Sequence, residues 1–97
     1  MEHTGYSFEE LRGQIDQIDE DIMMLLSKRF SVTEEIGVLK SKQGLDEFDS
    51  AREAKQFKQL KRLRNDLNLP AGIEKDIWGI IMRYSKERHR ELKEGLV

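Results

Sequence analysis

The chain has 97 residues, 37% of them charged and 37% hydrophobic, with 17 Lys and Arg set against 19 Asp and Glu. That length allows one domain, 1–97, and the near-neutral balance argues against a nucleic-acid partner. Cysteine is absent, which excludes disulfides, thiolate metal sites and thiol nucleophiles, and two His are too few for a multi-His metal centre. The N-terminus shows no basic segment leading into an apolar run, and the longest apolar stretch is Ile22–Leu26. Neither a targeting segment nor a membrane span is therefore expected, and the expected location is cytoplasmic.

Three helices are predicted, at about 7–43, 50–66 and 71–94. The first opens on Ser7-Phe8-Glu9-Glu10, a capping box with Ser at the N-cap and Glu three residues on. Phe8, Ile15, Ile22 and Ile36 then recur at sevens or multiples of seven. Leu11, Ile18, Leu25, Val32 and Leu39 supply the other half of the same heptad ladder. Gly37 is a weak point inside the helix, and Gly44 is placed to end it. About 36 residues at about 1.5 Å each give a helix of roughly 54 Å. A compact chain of this size has a radius of gyration of only about 12–13 Å. The helix overshoots its own globule, so another surface must cover its apolar stripe, and a second copy of the chain is the nearest candidate.

A short connector, Leu45 to Phe48, leads to the second helix, which Asp49 or Ser50 caps, with Ser50 and Glu53 as a further capping box. Ala51, Ala54, Phe57, Leu60, Leu63 and Leu67 give this helix a weaker stripe, and Pro70 closes it. Pro70 or Ala71 starts the third helix, whose expected core face is Ile73, Ile77, Ile80, Ile81 and Tyr84, with Trp78 alongside.

One residue breaks the ladder. Position 29, in register with Phe8, Ile15, Ile22 and Ile36, is Arg. A guanidinium in an apolar seam is costly unless paired. Either Arg29 snorkels or pairs to fix register, or it marks an anion site inside the bundle. Lys40 favours the second reading. It lies three turns on, within about 20° of the same face and about 16 Å away along the axis, a gap that two long cationic side chains could close on a small anion. Arg12 stands about 25 Å from Arg29 and about 100° around the helix, so it could join such a site only from another protomer. Asp49-Ser50-Ala51-Arg52-Glu53 reads as an ordinary cap, or as a third cation beside a carboxylate able to accept from a hydroxyl. Ser85 and His89 form an i, i+4 pair beneath Ile81. A lone His near a charged helix end is ordinarily just solvated.

These blocks resemble the all-helical class of chorismate mutases. Leu11-Arg12-Gly13-Gln14-Ile15-Asp16 is similar to that family's opening, and Leu25-Leu26-Ser27-Lys28-Arg29 to its second block. Ile36-Gly37-Val38-Leu39-Lys40 and Asp49-Ser50-Ala51-Arg52-Glu53 resemble the third and fourth. Each block alone is an ordinary helical fragment. The joint spacing of Arg12, Arg29, Lys40, Arg52 and Glu53 is specific, and the resemblance runs from about residue 8 to 90.

The resemblance implies an all-α fold of three helices per protomer, intertwined as a homodimer, with Arg12 contributed across the interface. It implies rearrangement of chorismate to prephenate with no cofactor and no metal. Chorismate is a dianion with two carboxylates, a ring hydroxyl and an ether oxygen. The reaction is pericyclic, so the site must fold the substrate and stabilise charge building on the ether oxygen. By resemblance, Arg12 and Arg29 clamp carboxylates. Lys40 contacts a carboxylate and the ether oxygen, and Arg52 supports the anionic end. Glu53 and the backbone near Asp49 bind the ring hydroxyl, and Ser85 assists a carboxylate. His89 takes the place where relatives commonly carry Gln, or sometimes Glu, as ether-oxygen donor, and two alternatives stay open. One is a mutase or pyruvate lyase for a related dianion, 4-amino-4-deoxychorismate or isochorismate. The other is a non-catalytic dimerisation or regulatory module.

Overall fold

The computed structural model describes residues 5–46 and 49–95. They form three α-helices in chain order, α1 (Phe8–Gln43), α2 (Ser50–Asp66) and α3 (Ile73–Lys93), and no strand occurs among the described residues. The chain is all-α, as the heptad ladder and caps predict. Of the expected connector, Glu47 and Phe48 lie outside the described residues. No described helix is long and apolar enough to cross a membrane.

Local sequence sets the helix boundaries. The Ser7 hydroxyl accepts the Glu10 N–H at 3.1 Å and starts α1. Gly44, at φ +67°, ends it. The Leu45 N–H bonds to the Lys40 carbonyl at 2.8 Å and the Gly44 N–H to that of Ser41 at 3.3 Å, the paired bonds of a Schellman motif. Asp49 is the cap of α2, and its carboxylate accepts the Arg52 N–H at 3.0 Å. Ser50 is therefore already the first helical residue, and the Ser50–Glu53 capping box does not form. The end of α2 repeats the Schellman pattern with Asn68 at φ +56° in the glycine role, the Leu69 N–H reaching the Arg64 carbonyl at 3.0 Å. α3 starts at Ile73 rather than at 71, because Gly72 takes a left-handed φ of +90° and so cannot be a helical turn residue.

The chain divides between Val32 and Thr33 into two units, both of which include part of α1. In the first unit the heptad ladder is uncovered. Phe8, Ile15, Ile18, Ile22, Leu25 and Val32 are all at least half exposed, Phe8 most of all at 79%. Met23 and Met24 are exposed as well.

In the second unit, α2 and α3 pack together, and the last turns of α1 lie against α3. The buried face of α3 is not the expected one. Ile81 and Met82 are buried together with Glu74, Ser85 and His89, while Ile77, Ile80 and Tyr84 stay exposed. Polar residues occupy an inward face here because other elements supply partners for two of them. The Glu74 carboxylate faces Arg64 Nε at 3.0–3.1 Å, which joins the end of α2 to the start of α3. His89 finds its partner on α1.

Candidate functional site

The eight side chains singled out in the sequence fall on both sides of the division. Arg12 and Arg29 belong to the first unit, and Lys40, Asp49, Arg52, Glu53, Ser85 and His89 to the second. Arg12 is exposed, with its guanidinium carbon 5.7 Å from the centre of the Phe8 ring one turn earlier. Arg29 is half-buried.

Within the second unit, Lys40 stands half-buried in the last turn of α1, and its carbonyl anchors the Schellman cap. The Asp49 carboxylate is spent on the N-terminus of α2. Arg52 is exposed and lines an open groove along α2 with Lys55, Lys58 and Arg62. Glu53, half-buried in the first turn of α2, is held by Lys86 of α3 at 2.8 Å. Ser85 and His89 are each about 8% exposed, and both face inward. The Ser85 hydroxyl and His89 Nδ1 are buried without a hydrogen-bond partner. Among the described residues, no cluster of three or more His, Asp or Glu could hold a metal ion.

His89 Nε2 lies 2.8 Å from the Thr33 carbonyl oxygen. A carbonyl only accepts, so Nε2 carries a proton, and Nδ1 is left without a protein partner. Beside it, Arg88 forks onto Glu34 with bonds of 2.6 and 2.7 Å. That fork lowers the Glu34 carboxyl below the usual carboxylate range, mainly through the Arg88 hydrogen bond, and it raises Arg88 in turn. Sequence reasoning missed Thr33, Glu34, Lys86 and Arg88, and it took Gly37 for a weak point only. Gly37 is in fact the single buried residue of α1.

The sequence profile of the chorismate mutase type II family matches residues 11–90. The chain belongs to the chorismate mutase type II family. That span holds every one of the eight candidate residues. Among curated relatives, the T-protein of Enterobacter agglomerans is 32% identical over 85 residues. The bifunctional chorismate mutase/prephenate dehydratase of Aquifex aeolicus is 40% identical over 58 residues. The chain spans only 23% and 16% of the length of these two relatives, matching 86% and 60% of itself. The chorismate mutase of Methanocaldococcus jannaschii is 26% identical over 85 residues, which cover 88% of this chain and 86% of that one.

Proposed function

We propose that the chain is a chorismate mutase, converting chorismate to prephenate by holding and polarising the substrate. The observation that carries the proposal is the presence, inside the family match, of Arg12, Arg29, Lys40, Arg52 and Glu53 together. A pericyclic shift asks for no nucleophile or base, only for cations placed around a folded dianion. Arg12 and Arg29 clamp the two carboxylates, a task suited to planar guanidinium forks. Lys40 contacts a carboxylate and places its ammonium at the ether oxygen, where negative charge grows as the C–O bond breaks. Arg52 holds the anionic end of the site. Glu53 and the backbone beside Asp49 receive the ring hydroxyl, and the unpartnered Ser85 hydroxyl donates to a carboxylate. His89 differs from a Gln at the same place. Its Nε2–H already serves Thr33, so only Nδ1 is left for a substrate. An ether oxygen is itself an acceptor, and the Lys40 ammonium donates to it.

The working unit is a homodimer with Arg12 supplied across the interface. The exposed heptad ladder supports this, since soluble chains rarely leave such a stripe bare. A cytoplasmic site of action suits a chain with no cysteine.

A complementation assay tests both parts. Arg12→Ala and Arg29→Ala variants are each expected to lose chorismate turnover. Refolded together in equal amounts, they are expected to regain about a quarter of wild-type activity, because half the dimers are mixed and each mixed dimer has one intact site. Recovery fails if both arginines serve from one chain. The His89 departure supports a second reading, a mutase or pyruvate lyase acting on a related dianion. Product analysis separates the two, since the first yields prephenate from chorismate and a lyase yields pyruvate.

A further inference from the structure

We infer that His89 is a positioning residue, latching α3 onto the Thr33 carbonyl of α1 through an opening that only a glycine at 37 leaves. In an α-helix the carbonyl of residue 33 already receives the N–H of residue 37, and the side chain at 37 flanks that carbonyl. With glycine there, the flank is bare and a third group can approach. A Cβ at position 37 would lie 2.6 Å from His89 Cδ2, 3.1 Å from His89 Nε2 and 2.9 Å from Leu92 Cδ1. Gly13, the other glycine of α1, has nothing within 4 Å of the equivalent point. The close approach is therefore specific to Gly37.

Two further clasps bracket the latch. Arg88 grips Glu34 on one side, and the Ser41 hydroxyl donates to the Leu92 carbonyl at 3.3 Å on the other. Of the three, only the His89 bond is made by a buried side chain. The Arg88 and Glu34 side chains are 34% and 37% exposed. The latch sits one turn from each of two proposed site residues. Lys40 follows Gly37 by three residues on α1, and Ser85 precedes His89 by four on α3. Nε2 is a donor in both the neutral and the protonated ring, so the latch holds in either state.

The kinetic part of the inference rests on the mutase reading, and the structural part does not. Long-range proton–nitrogen NMR of the wild-type imidazole is expected to show the Nε2–H tautomer, and an Nδ1–H tautomer overturns the latch. Gly37→Ala is expected to lower Tm and to lower kcat about tenfold with a smaller change in KM, the signature of a displaced Lys40. In a His89→Ala background the same change is expected to be neutral or stabilising, because the ring is gone, the Leu92 methyl at 2.9 Å can turn into the space it leaves, and Ala favours helix over Gly. Equal losses in both backgrounds, or a tolerated Gly37→Ala beside an intact His89, overturn the inference. His89→Gln keeps an N–H and is expected to retain most of kcat. His89→Phe keeps a ring without a donor and is expected to lose it, and full activity in that variant also counts against the latch. A wild type that leaves chorismate untouched, while the tautomer and the Tm reversal hold, removes the mutase reading alone.

Discussion

The two units of the chain are stabilised in opposite ways. In the first, the contacts described are local: Ser7 with Glu10, Arg12 with Phe8, and Gln17 with Asp21 at 3.0 Å. Each spans a single helical turn. In the second, contacts bridge residues far apart in sequence: Arg64 with Glu74, Glu53 with Lys86, Glu34 with Arg88, and Thr33 with His89. Local contacts of this kind supply only tenths of a kcal/mol each, roughly, and do not cover an apolar stripe. The difference teaches that the first unit has its helix but not its core, whereas the second closes part of a core with polar clasps.

The sharpest way to break this contrast is to charge the bare ladder. In the proposed homodimer, Ile22→Glu would place two unpaired carboxylates in a symmetric seam. Sedimentation is expected to show a monomer, with chorismate turnover reduced on the order of a hundredfold. An unchanged dimer would mean that the ladder is not the seam. A smaller loss is expected from Glu74→Gln, which leaves the partly buried Arg64 opposite a neutral amide. Removing one partner of a buried pair costs about 3 kcal/mol, read as a lower Tm with the oligomeric state unchanged.

The smallest effect is a pH slope. Glu34 is depressed by its Arg88 bonds, so its contribution is present above the ordinary carboxylate range and is lost as pH falls through its folded value. Arg88 is raised and stays charged throughout. Wild-type Tm is therefore expected to fall on acidification more steeply than that of Glu34→Gln. Matching slopes would show that the fork contributes nothing to the joint.

The contrast also explains what could be read in advance. The first helix was legible because spacing by sevens and a Ser7 cap are written in neighbouring residues. The second helix was legible within one position, and its cap resolved to Asp49 because a carboxylate reached the Arg52 N–H first. The inward face of α3 was not legible. Glu74, Ser85 and His89 read as surface residues by type, and two of them are buried only because Arg64 and Thr33 meet them from elsewhere. Gly37 failed for the same reason. A glycine inside a helix looks like a flaw until the residue filling the space is known, and that residue lies 52 positions away. The candidate cations were legible from spacing. Their neighbours Glu34, Lys86 and Arg88 were not, because ion pairing across helices leaves no periodic trace.

The uncovered ladder of α1 has a consequence for how the protein behaves on dilution. In the proposed homodimer, with a second copy as the cover and Arg12 reaching across, the number of complete sites would depend on encounters between chains. Specific activity then becomes a property of the amount of protein present. It falls as the square-law equilibrium shifts toward single chains and recovers on concentration. A cell holding too few copies would have the polypeptide but not the enzyme.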